Sequence, residues 1–172
     1  QGGDLLTRVG AIRKELVAAL GVIIPPVRVR DNIQLDTAQY RIKIHGVAIS
    51  SYELMTDRLL AINPGYVDGD DLEGFATREP AFGLKAMWIG RNLKEFAETK
   101  GFTVVEASAV VATHLTEILR ANSADLLSRQ DVSRLVDTLR EDMPKLVEDT
   151  IPAIIPMAIL QRVLQETILS EA

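Results

Sequence analysis

Cysteine is absent from all 172 residues, which removes disulfides and thiolate chemistry and fits an intracellular protein. Aromatic residues are scarce at 5%, so any core must be built mostly from Leu, Ile, Val and Ala. A basic excess is lacking too. Nineteen Lys and Arg face 24 Asp and Glu, a net charge of −5. That argues against a nucleic-acid binder, whose affinity comes from cationic side chains displacing counterions from phosphates. No apolar run approaches the roughly 18 residues that a membrane-spanning helix needs. The longest stretch worth considering, Ile151 to Leu160, is short and holds Pro152 and Pro156. No secretory leader opens the chain, because Asp4, Arg8 and Arg13 interrupt the first apolar residues. Gln1-Gly2-Gly3 reads as the tail of a linker, and Ala172 follows a helical pattern with no stop signal, so both ends read as cuts.

What is present is the balance of an ordinary globular protein: 47% hydrophobic and 25% charged residues. The length suits one large domain or two small ones. Leu5, Leu6, Val9, Ile12, Leu16 and Leu20 recur at helical spacing, which predicts a helix over 4–20 ended by Gly21. Pro25-Pro26 leads into Val27-Arg28-Val29-Arg30, which alternates like a strand. Tyr40 to Ile44 alternates again, and Gly46 separates it from a partner strand at Val47 to Ile49. Strands are also predicted over 58–62, 86–89 and 103–105, with a short helix over 93–99. The acidic stretch from Tyr66 to Arg78 reads as a surface loop. Ala107 to Ala121 forms a strong helix with Val110, Val111, Leu115, Ile118 and Leu119 on one face.

Beyond this point only helical patterns occur. Ser128 and Asp131 have the spacing of a capping box, and Val132, Leu135, Val136 and Leu139 form the stripe behind it. Pro144 and Pro156 sit where new helices start, since a first-turn proline loses no hydrogen bond. Ile159, Leu160, Val163, Leu164 and Ile168 mark the inner face of the last helix. The pattern implies an α+β protein, mixed up to about residue 126 and all-helical after it.

Chemistry is hard to find. His114 and Glu117 are three apart on a helix and could share a metal, but a site needs three or four ligands and no second pair exists. No metal or cofactor is expected, and His114 reads as a residue at the edge of a buried face with one nitrogen hydrogen-bonded. Asp68-Gly69-Asp70-Asp71 fails as a calcium loop, because Leu72 and Glu73 fall where a ligand and a glycine belong. Neither a phosphate loop nor a nucleophile elbow is present. Arg28, Arg30, Arg41 and Lys43 read as a solvated sheet face before a phosphate site. Phe82, in the irregular segment Pro80-Ala81-Phe82-Gly83-Leu84, is either a core plug or an aromatic lining a partner groove.

Seven blocks in order give the chain a resemblance to the FlhA family of flagellar type III export gate proteins. They are Pro25 to Asn32, Tyr40-Arg41-Ile42, Leu60 to Gly65, Pro80 to Leu84, Gly101 to Glu106, Val111 to Leu115 and Pro144 to Asp149. Any one of these is weak; the ordered set is specific. The resemblance implies a fragment of the cytoplasmic region of a membrane protein at the bacterial inner membrane. Residues 1–56 with 107–126 would form a first α/β subdomain, 57–106 a small α/β subdomain inserted into it, and 127–172 the start of a helical third. It implies no enzyme. The expected role is a docking platform for export chaperones carrying substrates and for components of the export ATPase complex, self-associating as a ring. Glu79, Phe82 and Thr113 match positions tied to a chaperone-binding dimple, with Ile62, Pro64, Val105 and Val110 as further lining. Glu79 and Thr113 would orient the partner from the rim, and Glu79 stands where the family often has aspartate. The alternatives are a virulence-type export gate domain and a small hydrolase using His114.

Overall fold

A computed structural model describes residues 2–20, 24–67, 71–151 and 154–171. Gly21, Asp68 to Asp70 and Pro152 lie outside them, and with them the predicted end of the first helix and three residues of the acidic stretch. The chain divides into two compact units, Gln1–Val9 with Arg28–Ile118 and Gly10–Val27 with Leu119–Ala172. The architecture is α+β, mixed in its first part and helical in its last.

Helix α1 spans Gly2–Leu20, so the two glycines read as linker are helical. Of its predicted stripe Val9, Ile12 and Leu16 are buried, while Leu6 is exposed. Val27 to Arg30 is irregular and has no strand partner among the described residues, contrary to expectation. Alternation of side chains makes a strand possible; only a neighbour's hydrogen bonds make one.

Strands β1 (Gln39–Ile44) and β2 (Val47–Glu53) pair antiparallel through a two-residue loop, His45-Gly46. Both loop residues have positive φ, +49° and +84°, the mirror-image turn whose twist suits a hairpin. The second sheet holds β3 (Leu59–Ile62), β4 (Phe75–Arg78), β5 (Lys85–Ile89) and β6 (Thr103–Glu106) in the order β4-β5-β3-β6, every pair antiparallel. Strand β4 falls inside the segment read from sequence as a loop. Four residues with one flank of pairing leave too short an alternation to see.

The central strand β3 serves two cores, because successive side chains leave opposite faces. Leu59 and Ala61 join Ile89, Leu72, Phe102 and Ala97, the last on helix α2 (Lys94–Thr99). Leu60 joins Trp88, Ala86 and Val110, the last on helix α3 (Ala107–Ala121), with Ile62, Val105 and Tyr52 packed beside them. Tyr52 stands opposite Tyr40 in the hairpin, their ring centroids 6.3 Å apart, and its hydroxyl meets Thr77 Oγ1 on β4 at 3.1 Å.

The helical unit contains α4 (Ser123–Leu126), α5 (Arg129–Asp142), α6 (Pro144–Thr150) and α7 (Met157–Glu171). The capping box at Ser128 and Asp131 forms as the spacing predicts, and Pro144 occupies the first turn of α6. The stripes are narrower than predicted. Val132, Val136 and Ile168 are buried, with Leu160 and Leu164 packed against the cluster, whereas Leu135, Leu139, Ile159 and Val163 are exposed. Leu160, Leu164 and Ile168 share one line at four-residue spacing; Ile159 and Val163 sit one residue earlier, about 100° round the helix. Gln161 and Gln165 donate to the Leu127 and Ala124 carbonyls at 3.1 Å each, tying α7 to the end of α4.

Candidate functional site

The turn from β4 to β5 sets the site. Glu79 N donates to Leu84 O at 2.8 Å and Gly83 N to Glu79 O at 3.0 Å, closing the loop. Gly83 has φ +70°, a conformation in which a side chain would be strained. Arg78 Nη1 adds a bond to Gly83 O at 2.8 Å. Inside the loop the Glu79 carboxylate accepts Ala81 N–H through Oε1 at 2.7 Å and Phe82 N–H through Oε2 at 2.8 Å.

This turn overhangs one end of the sheet face that packs on α3. Ile62 ends β3, Thr103 and Val105 lie two apart on β6 and so share a face, and Val110 and Thr113 lie three apart on α3, also on one side. Together with Pro64, Phe82, Leu84 and Glu79 they line a cavity of about 220 Å³, mostly apolar. All nine residues belong to the same compact unit. Val110 is the buried floor at 2% exposure, Ile62 and Val105 are half-buried, and Pro64 and Thr113 stand exposed at the mouth. Phe82 is 60% exposed, so it is not a core plug; one flank of its ring faces solvent and the other the cavity.

The structure therefore brings Ile62, Pro64, Glu79, Phe82, Val105, Val110 and Thr113 to one place. It also places there two residues that the sequence reading missed, Leu84 and Thr103. Period-two alternation from Val105 pointed to Thr103, and Leu84 ends the same Pro-Ala-Phe-Gly-Leu block as Phe82. One expectation is corrected. Glu79 is 3% exposed and both its oxygens accept N–H groups of its own turn, so it lies in the cavity wall and not on the rim.

The same unit holds a polar pair, one member half-buried and the other buried. The Tyr40 hydroxyl and His114 Nδ1 share a hydrogen bond of 2.7 Å, with ring centroids 5.7 Å apart. Burial, and then the nearby charges of Tyr52 and Glu79, push the Tyr40 phenol well above its ordinary range. Burial holds His114 below its ordinary value, with the Glu79 carboxylate pulling the other way. At 2% exposure His114 is inaccessible to a substrate, which removes the ground for a His114 hydrolase. Among the described residues no three of His, Asp and Glu gather as metal ligands, and no helix is long and apolar enough to cross a membrane.

The arrangement can bury an apolar side chain against a rigid floor, with hydroxyls at the mouth and no group placed to make or break a bond. Comparison with known proteins agrees with a non-catalytic reading. The FHIPEP family profile matches residues 1–172. The flagellar biosynthesis protein FlhA of Yersinia enterocolitica is 47% identical over 169 residues, 98% of this chain and 24% of that protein. The chain thus spans about a quarter of the length of the curated relatives it matches. Among solved structures, CdsV of Chlamydia pneumoniae superposes with a TM-score of 0.77 at 20% identity, over 95% of this chain and 47% of that one. The same protein solved with CdsO gives 0.76 at 20% identity, over 93% and 49%. The nonameric SctV-C of EPEC gives 0.67 at 13% identity, over 96% and 50%. At such identities these likenesses show the fold.

Proposed function

The chain belongs to the FHIPEP family, and from that premise we propose that it is part of the cytoplasmic docking platform of a flagellar type III export apparatus. In this reading the cavity at Phe82 receives an apolar side chain of an export chaperone that carries its substrate. The single observation behind it is the cavity itself: an exposed aromatic on a bonded turn, over an apolar floor drawn from β3, β6 and α3. Burying apolar area there contributes about 25 cal/mol per Å2, offset by the loss of freedom on association. A small site of this kind holds a partner that must leave again. Identity of 47% to a flagellar FlhA, against 20% to CdsV, supports the flagellar branch over the virulence-type one.

The wider role follows the same premise. Residues 57–106, which contain the whole four-stranded sheet, are the inserted subdomain; 1–56 with 107–126 are its host, and 127–172 begin a helical third. Self-association as a ring is supported by the nonameric state of SctV-C, and contact with the export ATPase complex belongs to the family premise. Attachment to the inner membrane is assigned to parts of the longer protein outside these residues.

Isothermal titration with a purified flagellar chaperone–substrate complex tests the reading. The chain is expected to bind, and Phe82→Ala to weaken binding while leaving the melting temperature in place. Equal affinity of the two proteins would remove the cavity from the mechanism.

A further inference from the structure

We propose that the Tyr40–His114 hydrogen bond is an acid-sensitive fastening: with His114 neutral it holds hairpin β1–β2 against helix α3, and when His114 takes up a proton the hairpin comes away while the four-stranded sheet stays folded. The fastening is measured without any partner and stands apart from the docking reading. The hairpin needs such a hold. Its strands form a sheet of their own, separate from the four-stranded one. Neither strand has a fully buried residue: Tyr40, Ile42, Ile44 and Tyr52 are half-buried, and Val47 and Ile49 are exposed. A two-stranded sheet with so little core is marginal in water by itself. Two tyrosines tie it to its surroundings. Tyr52 packs beside Leu60, Trp88 and Val110 and shares a bond of 3.1 Å with Thr77. Tyr40 shares one of 2.7 Å with His114, its ring edge-on to the imidazole.

The Tyr40 phenol keeps its proton, since burial pushes it well above its ordinary range, and a half-buried O–H needs an acceptor. His114 Nδ1 supplies it, which assigns the neutral ring's own hydrogen to Nε2. A further proton must then go to Nδ1, the atom that the phenol occupies. The phenol has to turn its O–H away, and a cation is left where 2% of the side chain meets water. Both changes favour the open hairpin, in which the imidazolium is hydrated. The surrounding groups do not cancel this cost. Glu79 on the β4–β5 turn draws the proton on, yet burial outweighs it and holds His114 below its ordinary value. Tyr40 faces the ring from β1 with Tyr52 beside it on β2, and Glu117 stands one turn on along α3. Leu60, Ala86, Trp88 and Val105, packed on α3 from the strands, carry no titratable group. His114 therefore binds a proton more readily once the hairpin opens. Closure is complete above about pH 6.5 and weakens as pH falls below it.

The test is amide hydrogen exchange by NMR from pH 7.5 to 5, corrected for the intrinsic rate at each pH. The ring signals of the chain's two histidines, His45 and His114, are followed in the same samples. Protection of the β1 and β2 amides is expected to fall by up to about tenfold per pH unit below about 6.5, the limit set by one proton. The β3 and β5 amides are expected to keep theirs, and the His114 ring at pH 7.5 to carry its hydrogen on Nε2. Tyr40→Phe should lower hairpin protection about tenfold at pH 7.5. In His114→Asn a side-chain oxygen that does not titrate reaches toward the place of Nδ1, so the hairpin should stay closed at every pH in the range. Should that variant fail to fold, Tyr40→Phe and the wild-type ring titration decide. Hairpin protection unchanged down to pH 5 overturns the proposal. So does a loss that follows the His45 signal, persists in His114→Asn, or is shared equally by β3 and β5. A ring hydrogen found on Nδ1 overturns it as well, because the phenol would then already be the acceptor.

Discussion

Phe102 and Phe82 belong to the same small unit yet meet opposite fates. Phe102 is 7% exposed among Leu59, Ala61, Ile89 and Ala97, on the side of the sheet that α2 closes. Phe82 is 60% exposed at an edge of the other side, where α3 covers Leu60 and Trp88 but stops short of sealing the end of β3. Side-chain chemistry is identical, so it cannot explain the difference. The backbone around them differs: Phe102 N–H donates to Ala97 O where helix α2 ends, whereas Phe82 N–H donates to the Glu79 carboxylate inside a surface turn. One aromatic is part of the core, and the other stands at the mouth of the cavity.

The contrast can be broken in stages. Phe102→Ala should be the most damaging change, destabilising the protein by about 3–5 kcal/mol in denaturant unfolding. A loss below about 1 kcal/mol would mean that the α2 side is not the true core. Phe82→Ala should do the reverse. It costs about 2 kcal/mol of chaperone binding, roughly thirtyfold in Kd, by titration. Its effect on unfolding should stay within about 0.5 kcal/mol. Gly83→Ala places a methyl at φ +70° and should destabilise by about 1 kcal/mol, with a matching loss of binding if the turn governs Phe82.

Acid should sharpen the contrast further, because only the α3 side carries the Tyr40–His114 pair. His114 binds a proton less readily in the fold than in the unfolded chain, whose value is near 6.5. Its contribution is therefore complete above that pH and declines as pH falls below it. Melting temperatures from pH 8 to 5 should show this decline, and His114→Gln should flatten it. The smallest effect is expected at Arg91, which meets Glu106 on the surface through two bonds of 2.8 and 2.9 Å. Solvent screens that pair, so Arg91→Ala should leave melting unchanged within error.

Local signals in the sequence were legible where the physics is local. The capping box at Ser128, the proline at the start of α6 and the alternation of Tyr40 to Ile44 all act within a few residues. The seven cavity residues came from family likeness, and the structure brings them together; whether a chaperone uses them is for titration to decide. What stayed hidden depends on partners far along the chain. Strand β4 exists because β5 lies beside it, and Val27 to Arg30 fails as a strand because no strand among the described residues pairs with it. Leu135 and Ile159 face water because packing selected a narrower stripe than hydrophobicity offers. Glu79 carries no sequence mark that separates a buried acceptor from a rim charge; only its burial and its two bonds to the turn do.

The register of β3 has a practical consequence. Ile62 is held opposite Ala86 on one side and Thr103 on the other, and a shift by a single residue would send it to the far side of the sheet. A synthetic peptide copying Arg78 to Lys85 would therefore carry the aromatic and the Glu79 carboxylate but none of the floor beneath. Under the docking reading proposed above, such a mimic should fail as a competitor for the chaperone, however well its loop is shaped, because the cavity is assembled from distant stretches of chain.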